Sequence, residues 1–162
     1  MKKIEWCKTK SRGIKKIDPN DNLSEEYLEN AEESLEVLRS IHKTKSKMWL
    51  ATTKYYIKYF AVYSIFMKIG IKCEIHDCTI ALIENLENGN IFEVGTAKTL
   101  EKDKQLRIDN QYYLKNKEVN INFDELAGFM LFIREALENL DEDRIEEIRE
   151  TIFPSKKDTE KQ

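Results

Sequence analysis

At 162 residues and 19.2 kDa, with 41% hydrophobic and 35% charged residues, the chain is sized for one core that buries roughly two-thirds of its unfolded surface. Its net charge of -3, from 27 basic and 30 acidic side chains, excludes a whole-molecule field toward nucleic acid or membrane. Any basic surface is local: residues 1–17 carry seven basic groups against one acidic, 18–42 carry eight acidic against one Arg, and 43–72 carry seven Lys and no acid.

The opening MKKIEWCKTK has no apolar h-region, and the longest apolar run, YFAVYSIFM, is far short of the ~20 residues that span a bilayer. A cytoplasmic location is expected. Cys7, Cys73 and Cys78 are an odd set in a chain with enough hydrophobic residues to fold without staples, so reduced thiols are expected. Abundant Lys and Glu with three Gln point toward a thermophilic source.

Five Gly and two Pro leave few breakers, and the apolar spacing is helical nearly throughout, which predicts an all-α fold. A basic arm over residues 1–21 precedes a helical bundle over 22–153, and a disordered tail over 154–162 follows. The arm either touches RNA phosphates or an acidic partner, or folds back on the bundle through Trp6, Cys7 and Ile14. Asn22 or Ser24 caps the first helix, whose apolar face is Leu28, Ala31, Leu35 and Leu38. HKTKSK is a polar break. The second helix, Met48 to Ile69, is apolar on most of its circumference and reads as the central one, ended by Gly70 in the left-handed conformation. It carries Tyr55, Tyr56, Tyr59 and Tyr63, whose hydroxyls need partners when buried. A third helix is predicted from His76 to Leu86 and a fourth from Thr96 to about Leu114. The fifth, about Phe123 to Leu140, is capped by Asn122, and Asp141 caps a short acidic helix that ends at Pro154.

The stretch KCEIHDCTI places His76 between Cys73 and Cys78. The donors suit zinc, but structural zinc sites combine separated ligand pairs, and only Cys7, His42 or a carboxylate is left to complete this one. No metal or cofactor is expected. His76 either caps and packs the start of its helix or exchanges a proton beside cations that neutralise phosphate, with Lys72 and Lys68 approaching from the turn before it. His42 follows the first helix, where its C-terminal dipole favours it, and is assigned no function.

The order of elements is informative: LSEEYLENAEESLEVLRSI, then WLATTKYYIKYFAVYSIFMKIGIK, then IHDCTIALIENL, then a helix containing LRIDNQYYL. Over about residues 22–140 this resembles the HEPN superfamily, and within it the archaeal stand-alone HEPN proteins. The resemblance implies an up-and-down bundle, a homodimer with its central sites brought together, and pairing with a minimal nucleotidyltransferase in toxin–antitoxin systems. It also implies metal-independent ribonuclease activity through an Arg, four to six residues, then a His. Only the His carries over, as His76. Lys72 has three intervening residues and Lys68 seven, and Lys lacks the planar fork that grips two phosphate oxygens.

Arg107, on the neighbouring helix, either replaces the missing Arg as a phosphate clamp or pairs with Asp77 or Glu74. Tyr112 and Tyr113 either stack a base or, as helical spacing favours, belong to the core. Asp77 orients His76 or, by preference, caps the helix. Two functional readings follow. In one, the protein binds or cleaves RNA by 2′-OH attack, with His76 as acid/base and Lys72, Lys68 or Arg107 on phosphate. In the other it is a catalytically silent dimer that binds nucleotide or a nucleotidyltransferase partner; the remaining alternative is a purely structural helical dimer in which His76 is buried and satisfied.

Overall fold

The computed structural model describes residues 2–154, and the segment 155–162, where most of the disordered tail was expected, lies outside the described residues. The chain is predominantly helical. Among the described residues there are seven α-helices: α1 (Lys2–Thr9), α2 (Asp21–Ile41), α3 (Lys47–Ile69), α4 (His76–Asn88), α5 (Thr96–Gln111), α6 (Phe123–Glu138) and α7 (Glu142–Ile152). Among the described residues the only extended pairing is a two-residue antiparallel ladder, β1 (Lys15–Lys16) with β2 (Ile71–Lys72). No helix among them is long and apolar enough to cross a membrane.

Helix α3 is the centre, as its apolar circumference predicts. It packs against α2, α5, α6 and α7, and Ile57, Ala61, Val62, Ile65, Phe66 and Ile69 are fully excluded from solvent. Wrapping the helix on all sides removes from water an apolar surface that no two-helix arrangement could cover. One polar seam crosses this core. Lys58 Nζ, on a buried side chain, lies 2.9 Å from Asp103 and 3.6 Å from Glu125, and Lys54 reaches the same Asp103 at 3.2 Å. A buried ammonium needs such partners, and here they tie α3 to α5 and α6.

Local signals fix several helix ends where the sequence places them. Asn122 accepts from the Glu125 N–H and Asp141 from the Arg144 N–H. Gly70 ends α3 at φ 69°. The cap of α2 differs: Asn20, not Asn22 or Ser24, accepts from the Leu23 N–H, because the Ser24 hydroxyl turns inward and donates to Ser64 O of α3 at 2.8 Å. Helix α5 has no cap of its own, since Gly95 holds that place. Instead the Glu87 carboxylate, from the end of α4, accepts from the Gly95 and Ala97 N–H groups, where a negative charge is favoured.

The basic arm folds back on the bundle. Its α1 is joined to α4 by a disulfide between Cys7 and Cys78, which corrects the expectation of reduced thiols; Cys73 alone is free, and it is buried. The arm is held further by Ile14 and Cys7, both buried, by the β1–β2 ladder, and by Glu74 N–H donating to Arg12 O. At the other end of the chain, α7 is no appendage. The almost fully buried Arg149 donates from Nη1 to Ile17 O at 2.9 Å, Ile69 O at 2.9 Å and Gly70 O at 3.1 Å. This satisfies carbonyls that the C-terminus of α3 leaves without helical partners.

Candidate functional site

Three helices meet at His76. The residue is the first of α4, following Ile75, which occupies the cap position without a side-chain hydrogen bond. Tyr55, from the middle of α3, brings its hydroxyl 3.1 Å from His76 Nδ1, and either atom of that pair can be the donor. From α5, Arg107 lays its guanidinium over the Tyr55 ring at 4.8 Å and over Tyr56 at 5.7 Å, a contact its weakly hydrated planar group favours. Lys104, one turn earlier on the same face of α5, sits 3.4 Å from Asp77.

The electrostatics follow from this packing. Burial, then the nearby Lys104, holds the His76 pKa down to about 4; Asp77 opposes the shift and Arg107 adds to it. Tyr55 is pushed the other way, well above the usual phenol range, because burial penalises its anion. At neutral pH the pair is therefore an uncharged imidazole hydrogen-bonded to an intact phenol. Two polar atoms of the cluster lack a partner although buried, His76 Nε2 and Arg107 Nε. Such atoms are costly when left alone.

The sign of the histidine's effect on stability is fixed by its direction of shift. Its folded pKa lies below the 6.5 of the free side chain, so between those values the unfolded chain binds more protons. Its contribution is intact above about pH 6.5 and is lost as pH falls toward 4. Urea midpoints measured across this range are expected to fall more steeply for the wild type than for His76→Gln. Parallel curves would mean that His76 titrates alike in both states.

Of the other candidates, Arg107 is brought to His76, but neither carboxylate proposed as its partner holds it: Asp77 is taken by Lys104, and Glu74 by Arg12 and Lys72. Arg107 donates instead to Gln111 Oε1 at 3.2 Å. Lys68 is held by Asp21 at 2.8 Å and Lys72 by Glu74 at 2.9 Å, on the sides of α3 and β2 that face α2 and the arm. Asp77 is an ion-pair partner rather than a cap. Tyr112 and Tyr113 are not core: α5 ends at Gln111, and they lie beyond it at 64% and 67% exposure, with Tyr112 5.8 Å from the Arg107 guanidinium. The zinc donors are not assembled, because Cys7 and Cys78 are bonded to each other and His42 rests edge-on against Phe123. Sequence reading missed the roles of Tyr55 and Lys104. The available signals were a tyrosine hydroxyl in an apolar helix face needing a partner, and a Lys–Arg pair at i, i+3. Comparison with known protein families, curated proteins and solved structures returns no match.

Proposed function

We propose that the chain is a HEPN-like helical bundle that acts on RNA at the His76 cluster, cleaving by metal-independent attack of the ribose 2′-OH. The observation that carries this reading is the meeting of Arg107 with His76 around Tyr55. The arginine that the sequence lacks in the segment before His76 is supplied from another helix. With Nδ1–H donating to the Tyr55 oxygen, Nε2 keeps its lone pair; it is buried in the free protein, so in this reading the cluster opens as RNA binds and Nε2 then takes the 2′-OH proton. The freed oxygen attacks the adjacent phosphorus, Arg107 and Lys104 stabilise the charge on the pentacoordinate phosphorus, and as the P–O5′ bond breaks the 5′-oxygen leaves with the proton that Nε2 took, which returns His76 to its neutral form. A bound phosphate would also raise the His76 pKa toward neutrality, where proton transfer is most effective. The reading includes a homodimer, a nucleotidyltransferase partner of toxin–antitoxin type and a cytoplasmic location. A buried disulfide is compatible with the last in thermophiles, whose intracellular proteins retain such bonds.

A second reading, a catalytically silent dimer that binds nucleotide or the nucleotidyltransferase, is favoured by one observation: His76 Nε2 is occluded and the imidazole resists protonation. The test is incubation of wild type, His76→Ala and Arg107→Gln with a mixed RNA pool in EDTA, followed by end-group analysis. Wild-type fragments ending in 2′,3′-cyclic phosphate, reduced on the order of a hundredfold or more in both variants, are expected. Equal product from all three proteins would leave the silent reading.

A further inference from the structure

Farther along the tyrosine run than the Tyr55 and Tyr56 rings that Arg107 covers, the folded-back arm borders a second space that the RNA reading does not use. It is a cavity of about 570 Å³ between the arm, α2, α3 and β2, within the range of sites that enclose a small organic molecule. Three tyrosines wall it. Tyr59 and Tyr63 stack on each other with centroids 4.4 Å apart, and Tyr27 leans on Tyr63 at 5.6 Å; Tyr63 is buried, so the ring surface left to the cavity is that of the half-buried Tyr27 and Tyr59. Charge sits at the mouth alone. Arg12 Nε and Lys72 Nζ each lie 2.9 Å from the Glu74 carboxylate, two cations on one anion. Their exposed ends leave a net positive rim, and the position of that carboxylate marks where an anionic group is held between them.

We propose that this cavity binds a small molecule made of a planar aromatic ring and a single anionic group. The ring lies against Tyr59 and Tyr27, and the anionic group displaces Glu74 from Arg12 and Lys72. Stacking on tyrosine faces discriminates flat rings from aliphatic bodies of equal size. The bidentate fork of Arg12 discriminates acids from neutral analogues. Glu74 is then an internal competitor. It keeps the rim closed when no ligand is present, and its removal should favour the ligand instead of harming it. The site is separate from His76, and the proposal does not rest on ribonuclease activity.

Aromatic carboxylates and nucleoside monophosphates share this chemistry, and calorimetric titration of the full chain separates them with indole-3-acetate and 5′-AMP as probes, against indole-3-acetamide and adenosine. One of the anionic probes is expected to bind at one per chain, at least about tenfold tighter than its neutral counterpart. Glu74→Gln should tighten it about threefold or more, Arg12→Gln should weaken it by a similar factor, and Tyr59→Leu should weaken it about tenfold. Arg12 and Glu74 lie at the surface, so their variants decide the matter even if Tyr59→Leu does not fold. The proposal is overturned if neither anionic probe binds at millimolar concentration, if the neutral analogues bind equally, or if both rim variants leave affinity unchanged.

Discussion

Replacing Arg149 by methionine is expected to remove about 4 kcal/mol of unfolding free energy, read as a lower urea midpoint with an unchanged slope. Nη1 has two hydrogens to share among Ile17 O, Ile69 O and Gly70 O, so the three contacts count as about two full bonds from a charged donor, each on the order of 1.5–3 kcal/mol. Gly70 O keeps another partner, the Ile17 N–H at 3.0 Å. The carbonyls of Ile17 and Ile69 do not, and methionine fills the space without offering a donor. The guanidinium packs closely on the turn it serves: a Cβ on Gly70 would fall 1.9 Å from Nη1. A loss below about 1 kcal/mol would show that water reaches those carbonyls once the guanidinium is gone.

Reduction of the Cys7–Cys78 bond is the second large effect. The two residues are 71 positions apart, and closing a loop of that length restricts the unfolded chain by about 4 kcal/mol in the entropic account. For a chain of this size that corresponds to a melting temperature lower by roughly 10 °C. Calorimetry with and without reductant should show the drop, Cys7→Ser should reproduce it without reductant, and Cys73→Ser should keep the reductant-sensitive behaviour of the wild type. An unchanged melting temperature on full reduction would mean that the arm is held by its ladder and buried apolar residues alone. The consequence for the site is direct, since Cys78 lies in the first turn of the helix that His76 begins.

How much of this was legible follows the distance over which each signal acts. The run from Met48 to Ile69 is legible from its apolar circumference, and its glycine stop and the caps Asn122 and Asp141 are local, each set by residues within one turn. The expected caps of α2, Asn22 and Ser24, lie two and four residues past Asn20, because several capping side chains crowd the same turn, and a contact 40 positions away, Ser24 to Ser64, takes one of them out of the choice. Helix α1 is short and mostly polar, and it owes its place to a bond with a residue 71 positions away. Tyr112 and Tyr113 were read by a helical period that no longer applies, since Leu114 and Asn116 both turn left-handed at φ 50° and 53° just after them. In the candidate site, His76 was legible as an isolated histidine beside a helix start. The choice of Arg107 over Lys68 and Lys72 was not, because it depends on how α5 lies across α3 and α4.

The bond between Arg149 and Ile17 joins positions 132 apart, whereas α2 and α3 are successive helices joined by one short turn and packed along their lengths. Contacts between such neighbours close small loops and form early, while the clasp joining the two ends of the described chain must wait for nearly everything between them. Arg149 therefore governs how long the native state lasts more than how quickly it is reached: its loss should appear in the rate of unfolding and leave the rate of folding almost untouched.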